Sequence, residues 1–540
     1  MTNVGSLLTT AAVHHGEHVA LRFGSQRWSF AELDARVDAL AAGLRELGVQ
    51  PGDRVACLSW NRPEVIETMF AVFKLGLVLV PLNPRYTAGE VAYHLQDSQA
   101  AVLVHGPGFA TVVIEAVRQS TSVRHVLAVG GETADPSAGD PADPGRMLDY
   151  EREIARHAGA VQEAADVADD DCCWLFYTSG TTGRPKGAML THGNLLFAVV
   201  GWVADLTPLT PDSVVLHVAP LSHGAGFHAL VAVAKAATQV IPAPETVTAA
   251  ETLELLVEHR VTDTWMVPTQ ITRMVAEIDA RRVSGQPPDL SCLRSIVYGG
   301  APFHVEDLRA AISSLGPVLV QLYGQGETPM TATFLSHAEH RLTGPESSRL
   351  GSAGHARTGM QVRVVDAAGR QVPDGARGEI VVRGPAVMKG YWGRPEETAD
   401  TLRGGWLHTG DVGTFQRGYL YVLDRLKDLI ISGGSNVYAR EVEEVLLEHP
   451  VVHEVAVVGI PDRDWGERVV AVVVPVGGST VSVGALQEHV RSRLASYKRP
   501  KDYVSVDSLP RSGYGKVLKR DLRERLTADR PIDVHSPEES

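Results

Sequence analysis

Only four cysteines occur in 540 residues, and none of them is spaced like a metal ligand pair. Cys172 and Cys173 are adjacent, while Cys57 and Cys292 are isolated in apolar contexts. A disulfide framework and a cysteine zinc site are thereby excluded, and buried thiols in a reducing compartment are expected. Long hydrophobic runs are also missing. The nearest to the ~18 residues of a membrane span is Met69–Leu82, and Lys74 interrupts it. The N-terminal MTNVGSLLTT has no basic stretch leading into an apolar core, so no secretory signal is expected and a cytoplasmic location is the default expectation. Positive charge is short as well: 50 Lys and Arg stand against 64 Asp and Glu, a net −14. That balance argues against nucleic acid as a partner, because such proteins present a basic face. It leaves anionic nucleotides open, since local donors hold those.

What is present is an ordinary globular composition, 44% hydrophobic and 21% charged, in a chain long enough for two or more domains. Its most distinctive stretch is Tyr177–Gly187, YTSGTTGRPKG, which follows the short apolar run Cys172–Tyr177. Such a run reads as a buried strand, and Thr191 and Asn194 downstream are helix-starting residues. Strand, Gly/Ser/Thr loop and helix with a Lys nearby predict a phosphate cradle: glycines admit the backbone, N–H groups and hydroxyls donate, and the Lys adds charge. The loop is not a Walker A motif, because Gly180 is followed five positions later by Pro185 where that pattern requires Gly-Lys.

Upstream, Ser29 and Glu32 have capping-box spacing, and Leu33, Val37, Leu40, Leu44 and Leu47 recur on one helical face. Strands at Val55–Trp60 and Val78–Leu82 flank a helix over Glu64–Leu75, an α/β alternation expected of a largely parallel sheet. The acidic stretch Gly130–Asp171 reads as connecting loops around one helix. Downstream the alternation repeats, with strands at Ser213–Ala219, Asp263–Val267, Leu293–Tyr298 and Val318–Leu322. Their carboxyl ends lead into PLSHGAGFH, a helix from Pro268, GGAP (Gly299–Pro302) and YGQGET (Tyr323–Thr328). In open parallel sheets that rim is where ligands bind. From about Arg341 short strands and turns predict a β subdomain. After Gly434, a helix at Arg440–His449, strands at Glu454–Val458 and Val469–Pro475, and a helix at Val483–Leu494 predict a small α+β domain. The polar residues from Asp529 read as a disordered tail.

Taken together, these segments resemble the adenylate-forming superfamily of acyl-CoA synthetases, peptide-synthetase adenylation domains and beetle luciferases. The resemblance covers nearly the whole chain, and its motifs stand in family order: YTSGTTGRPKG, PLSHGAG, YGGAP, YGQGE, GEIVVRGP, WLHTGD, DRLKDLIISGG and PRSGYGK. It implies an α/β fold: a large N-terminal domain, residues 1–425, of mainly parallel sheets plus a β subdomain, then a mobile α+β domain, residues 426–528, and a tail, residues 529–540. It implies ATP, Mg²⁺ and CoA, and a carboxylic acid activated as its adenylate with release of pyrophosphate before transfer to a thiol. A fatty or an aryl acid is expected; a carrier-protein thiol or a nitrogen nucleophile is the alternative acceptor. Neither nucleic acid nor integral membrane association is expected, and the state is monomer or homodimer.

Carried over by position, Thr178, Ser179, Gly180, Thr181, Thr182 and Gly183 with Lys186 correspond to the loop over the β- and γ-phosphates. Glu327 corresponds to the metal-binding carboxylate, with Thr178 as its partner. Gly300, Ala301 and Pro302 match the adenine wall, Tyr323 the ring that stacks on the base, and Gly324 its neighbour. Asp411 matches the ribose-binding carboxylate and Arg425 a second ribose or phosphate contact. Lys516 matches the late lysine that meets charge developing during adenylation. Lys427 matches the hinge about which the small domain turns, exchanging Lys516 for the Gly433–Gly434 loop. His223 matches the position near the substrate carboxylate, and His228, one turn on, is expected to line the acyl pocket. One departure is Gly326, where the family carries Thr; it removes a hydroxyl and is expected to add room beside the α-phosphate.

Overall fold

The computed structural model describes residues 3–131, 147–179, 184–432, 435–463, 465–477, 482–511, 517–527 and 534–535. The chain divides into two compact units, one of Met1–Val362 with Val382–Leu407 and the other of Arg363–Val381 with His408–Ser540.

The first unit contains two large sheets. In the nine-stranded sheet, strands Val214–Leu216, Asp263–Met266, Ser295–Tyr298 and Leu319–Tyr323 lie parallel and adjacent. Their carboxyl ends therefore share one rim, as the Gly-rich loops predict. One face of this sheet is sealed by helices Ala249–Glu258, Pro268–Val283 and Val305–Leu315 through a core that includes Leu253, Ile271, Ile278, Ile296, Leu308 and Leu319. The eight-stranded sheet carries parallel strands Arg54–Leu58, Val78–Leu82 and Ala100–His105. Side-chain spacing explains several helix starts directly. Ser29 with Glu32, Thr87 with Glu90 and Thr248 with Glu251 each close a reciprocal capping box.

One expectation fails. Tyr177–Gly187 does not pass from strand into helix. Strand Cys172–Ser179 returns as strand Pro185–Thr191 in an antiparallel hairpin, and only then does helix His192–Asp205 begin, capped by Thr191. The apolar segment after the loop (Ala188, Met189, Leu190) pairs back across the hairpin and, on its other side, with Gly390–Tyr391, a pairing invisible to local periodicity.

In the second unit, strands Val452–Asp462 and Gly466–Pro475 form the centre of a six-stranded sheet buried on both faces. Alternation divides the valine run: Val469, Ala471 and Val473 face helices Ala439–Leu447 and Val483–Arg491, while Val470, Val472 and Val474 face Leu522. A four-stranded sheet includes Leu407–Gln416 paired antiparallel with Tyr419–Arg425. Cys57 and Cys173 are buried free thiols, whereas Cys172 and Cys292 are partly exposed; burial pushes the Cys57 and Cys172 thiols up to about 12. Among the described residues no helix is long and apolar enough to cross a membrane, and no group of metal-ligating side chains stands apart as a metal centre.

Candidate functional site

The hairpin register sets the chemistry of the first unit. Thr178 stands directly opposite Lys186, so their side chains share one face, while Tyr177 turns to the other and donates to Asp97 at 2.8 Å. From that shared face the Thr178 hydroxyl donates to Glu327 Oε1 at 2.9 Å. Glu327 lies in the turn after strand Leu319–Tyr323, pinned where Thr328 N–H bonds back to the Gln325 carbonyl and Met388 N–H to the Glu327 carbonyl. It is 7% exposed.

A third chain segment completes this cluster. Strand Gly390–Tyr391 pairs with the hairpin edge, Tyr391 opposite Ala188. The Tyr391 hydroxyl donates to the same Glu327 oxygen at 2.9 Å, and the Lys186 ammonium lies 5.3 Å from the Tyr391 ring centroid. Burial, followed by the Glu327 carboxylate, pushes the Tyr391 phenol well above its ordinary range, so it remains a donor. Lys186, buried at 8% exposure, is ion-paired with Glu397. Tyr391 and Glu397 were not singled out from the sequence. Their segment, YWGRPEET, carries only the signature of a helix start, with Pro395 at the first position.

The described partners of the Glu327 carboxylate are two neutral hydroxyls, which leave a buried negative charge uncompensated. A carboxylate and a hydroxyl are hard oxygen donors, the set a Mg²⁺ ion accepts; the residues fit that ion.

At the rim, His223 caps helix Gly224–Ala234. Its Nδ1 accepts from Gly224 N–H at 2.8 Å, which places the proton of the neutral ring on Nε2. The ring meets Phe176 edge-on, centroids 4.9 Å apart. Gly300 sits at φ +76°, the left-handed region, turning the chain into Ala301 and Pro302. Tyr323 ends its strand, and Gly324 packs against the backbone of Met330.

Trp265, at the end of strand Asp263–Met266, is an addition the sequence did not signal. A Cβ on Gly224 would lie 3.1 Å from both Trp265 Cζ2 and Met330 Sδ, and one on Gly300 would lie 3.9 Å from Trp265 Cη2. The indole thus spans two glycine-walled loops, with the flexible Met330 side chain against Gly224. His228 is fully buried one turn along the same helix, stacked on Trp202 with centroids 4.7 Å apart.

Gly326 does not open the expected space. A Cβ there would lie 2.6 Å from Phe176 Cε1 and 2.8 Å from Thr178 Cγ2. The Phe176 ring occupies the volume a threonine would take.

In the second unit, Asp411 is 5% exposed and directly opposite Arg425 in the antiparallel register, with Arg425 Nε 3.4 Å from Asp411 Oδ1. Glu379 orders the turn before it, accepting from Gly410 N–H at 3.2 Å and bonding His408 Nδ1 at 2.7 Å. The backbone of Lys427 belongs to the short turn Leu426–Asp428, and Arg523 pairs with Asp428 at 3.1 Å. Gly180, Thr181, Thr182, Gly183, Gly433, Gly434 and Lys516 lie outside the described residues, as do the side chains of Ser179 and Lys427 and nearly all of the tail.

Comparison with known proteins adds a separate line. The family model "AMP-binding enzyme" matches residues 8–392, and "AMP-binding enzyme C-terminal domain" matches residues 441–516. A feruloyl-CoA synthase of an Amycolatopsis species is 41% identical, over 94% of this chain and 96% of that one. An indoleacetate–CoA ligase of Aromatoleum aromaticum is 37% identical, over 94% of each. The crystal structure of ATP-bound MatB from Rhodopseudomonas palustris superposes with a TM-score of 0.85 at 32% identity, covering 98% of this chain and 99% of that one.

Proposed function

We propose that this chain, which belongs to the AMP-binding enzyme family and is an adenylate-forming acid–CoA ligase, takes a flat aromatic acid as its substrate. The observation that carries the aromatic assignment is the slot at Trp265. Neither Gly224 nor Gly300 puts a Cβ over the indole, and the movable Met330 side chain lies beside it. The Met330 methyl fills the space a Gly224 side chain would take, so a planar ring stacks on the indole when that flexible side chain swings aside, and aromatic pairs add about 0.5–1.5 kcal/mol beyond their buried area.

In the first half-reaction a carboxylate oxygen of the acid attacks the α-phosphorus of ATP, and the bond to the β-bridging oxygen breaks, releasing pyrophosphate. In the second, the thiol of CoA attacks the carbonyl carbon and AMP departs. The hairpin of Thr178 and Lys186 serves the leaving phosphates. Lys186 exchanges its ion pair with Glu397 for phosphate oxygens. A divalent cation held by Glu327 and Thr178 would neutralise phosphate charge, and Tyr391 orients that carboxylate through its hydrogen bond. His223, its proton on Nε2, donates toward the substrate carboxylate. Asp411 accepts the ribose hydroxyls beside Arg425. Lys516 stabilises charge in the first step, and rotation about Lys427 brings Gly433 and Gly434 in for the second. The domain boundary near residue 425 belongs to the same reading.

The test is pyrophosphate release over a panel of aryl and straight-chain acids, with acyl-CoA identified by mass spectrometry. Aryl acids are expected to lead in kcat/KM. A clear preference for unbranched fatty acids refutes the aromatic assignment, and adenylate that reacts only with a carrier protein or an amine refutes CoA as acceptor.

A further inference from the structure

Behind the Trp265 slot the interior is polar where an aryl or alkyl pocket would normally be closed by hydrocarbon. Strand register pairs Val215 with Gln239 and with Asp263, so by alternation Gln239, His217 and Trp265 share one face of the nine-stranded sheet. Helix Gly224–Ala234 covers that face. Gly224 meets Trp265, and His228, four residues on and so above Gly224 on the helix, meets His217 with centroids 5.8 Å apart. His217 Nε2 bonds Gln239 Oε1 at 2.8 Å.

Among the described residues the remaining polar atoms of this row have no partner. Trp265 Nε1, both ring nitrogens of His228, His217 Nδ1 and Gln239 Nε2 are all buried without a hydrogen bond. The four side chains are no more than 4% exposed. Burial pushes His217 down to about 4 and His228 well below its ordinary value. Each imidazole is therefore neutral, with one donor and one acceptor to satisfy. Every such orphan is costly to bury, and native interiors rarely leave them unmatched. A small apolar cavity bounded by Leu195, Trp202, Phe227, Leu230, Pro329 and Thr331 lies against Trp202, whose ring stacks on His228 and separates that cavity's lining from the row.

We propose that this row of Trp265, His228, His217 and Gln239 receives the far end of the acid, and that the acid carries a hydrogen-bonding oxygen or nitrogen there, as a ring-hydroxylated aryl acid does. The inference rests on the slot assignment above and specifies its substrate class. Sites that offer buried donors and acceptors reject an analogue lacking the matching group much more strongly than an apolar pocket rejects an added one. Ordered internal water is the competing occupant.

Measured as pyrophosphate release with CoA present, the wild-type chain is given 3-phenylpropenoic acid, its 3- and 4-hydroxy derivatives and the 4-methyl derivative, together with octanoic and 8-hydroxyoctanoic acids. The better hydroxylated ring acid should exceed the methyl acid in kcat/KM by about 10²-fold or more. Trp265→Phe and His228→Leu should each shrink that ratio to below about tenfold, a comparison that cancels any general loss of folded enzyme. Equal kcat/KM for hydroxy and methyl acids in the wild type overturns the inference, with the row then holding water only, and leaves the aromatic assignment standing. A preference for the octanoic pair overturns the aromatic assignment, and 8-hydroxyoctanoic acid exceeding octanoic acid would then support the polar terminus on its own.

Discussion

Replacing Gly326 by threonine, the residue the family resemblance leads one to expect there, should damage this chain. The new Cβ would stand 2.6 Å from Phe176 Cε1 and 2.8 Å from Thr178 Cγ2. Neither neighbour yields easily. Phe176 is 4% exposed, meets the His223 ring and packs on Phe227 with centroids 5.5 Å apart. Thr178 is held by its cross-strand position opposite Lys186 and by its bond to Glu327. Overpacking at such a site costs about 1–3 kcal/mol, which should lower Tm by a few degrees. Displacing Thr178 from Glu327 should also cut the adenylation rate, because that hydroxyl belongs to the proposed cation site. Phe176→Leu with Gly326→Thr should recover part of both losses, and a double-mutant cycle should give a coupling of about 0.5–3 kcal/mol. The readouts are scanning fluorimetry and ATP–pyrophosphate exchange. A Gly326→Thr enzyme with unchanged Tm and exchange rate, or losses that add with no coupling to Phe176, would falsify the claim that the two positions share one volume.

Tyr391→Phe removes a donor to a buried carboxylate, an interaction worth about 1.5–3 kcal/mol, so kcat/KM for ATP should fall by about 10–100-fold; an unchanged value removes Tyr391 from the site. Lys516→Ala should lower adenylate formation by roughly 10²–10³-fold while thioester formation from supplied acyl-adenylate persists, and equal loss in both steps rules out the exchange of roles by rotation. Acid should destabilise the fold. Burial holds His192, His217 and His340 neutral down to about 4, whereas the unfolded imidazoles protonate near ~6.5. Between those values the unfolded chain binds more protons, so stability is full above ~6.5 and declines toward pH 4, by up to about 4 kcal/mol per unit for the three groups together. Tm measured at fixed ionic strength should drop from pH 7 to pH 5; a flat profile contradicts the buried-neutral assignment.

Much of this arrangement is legible in the amino-acid order because it is local. Alternating apolar strands and capped helices predict the parallel sheet, and loops placed after consecutive parallel strands must share a rim. The Ser29, Thr87 and Thr248 caps follow from side chains three residues apart. The pairing of Thr178 with Glu327 is reached from motif order, which needs no geometry.

Other features depend on which distant segments the fold brings together. Glu397 and Tyr391 reach Lys186 because a two-residue strand joins the hairpin edge, and nothing in YWGRPEET announces it. The phosphate loop closes a hairpin, not a strand–helix turn, because the segment after it finds a partner strand to pair with. Phe176 fills the volume beside Gly326, and Trp265 spans Gly224 and Gly300, through contacts between residues 35 to 150 positions apart. The sequence alone therefore determined that the chain is built to activate an acid with a nucleotide, since phosphate-binding chemistry is written in contiguous loops. The shape and polarity of the proposed acid site were decided only by tertiary packing, since Trp265, Gly224, Gly300, His217 and Gln239 come from separate strands, loops and a helix.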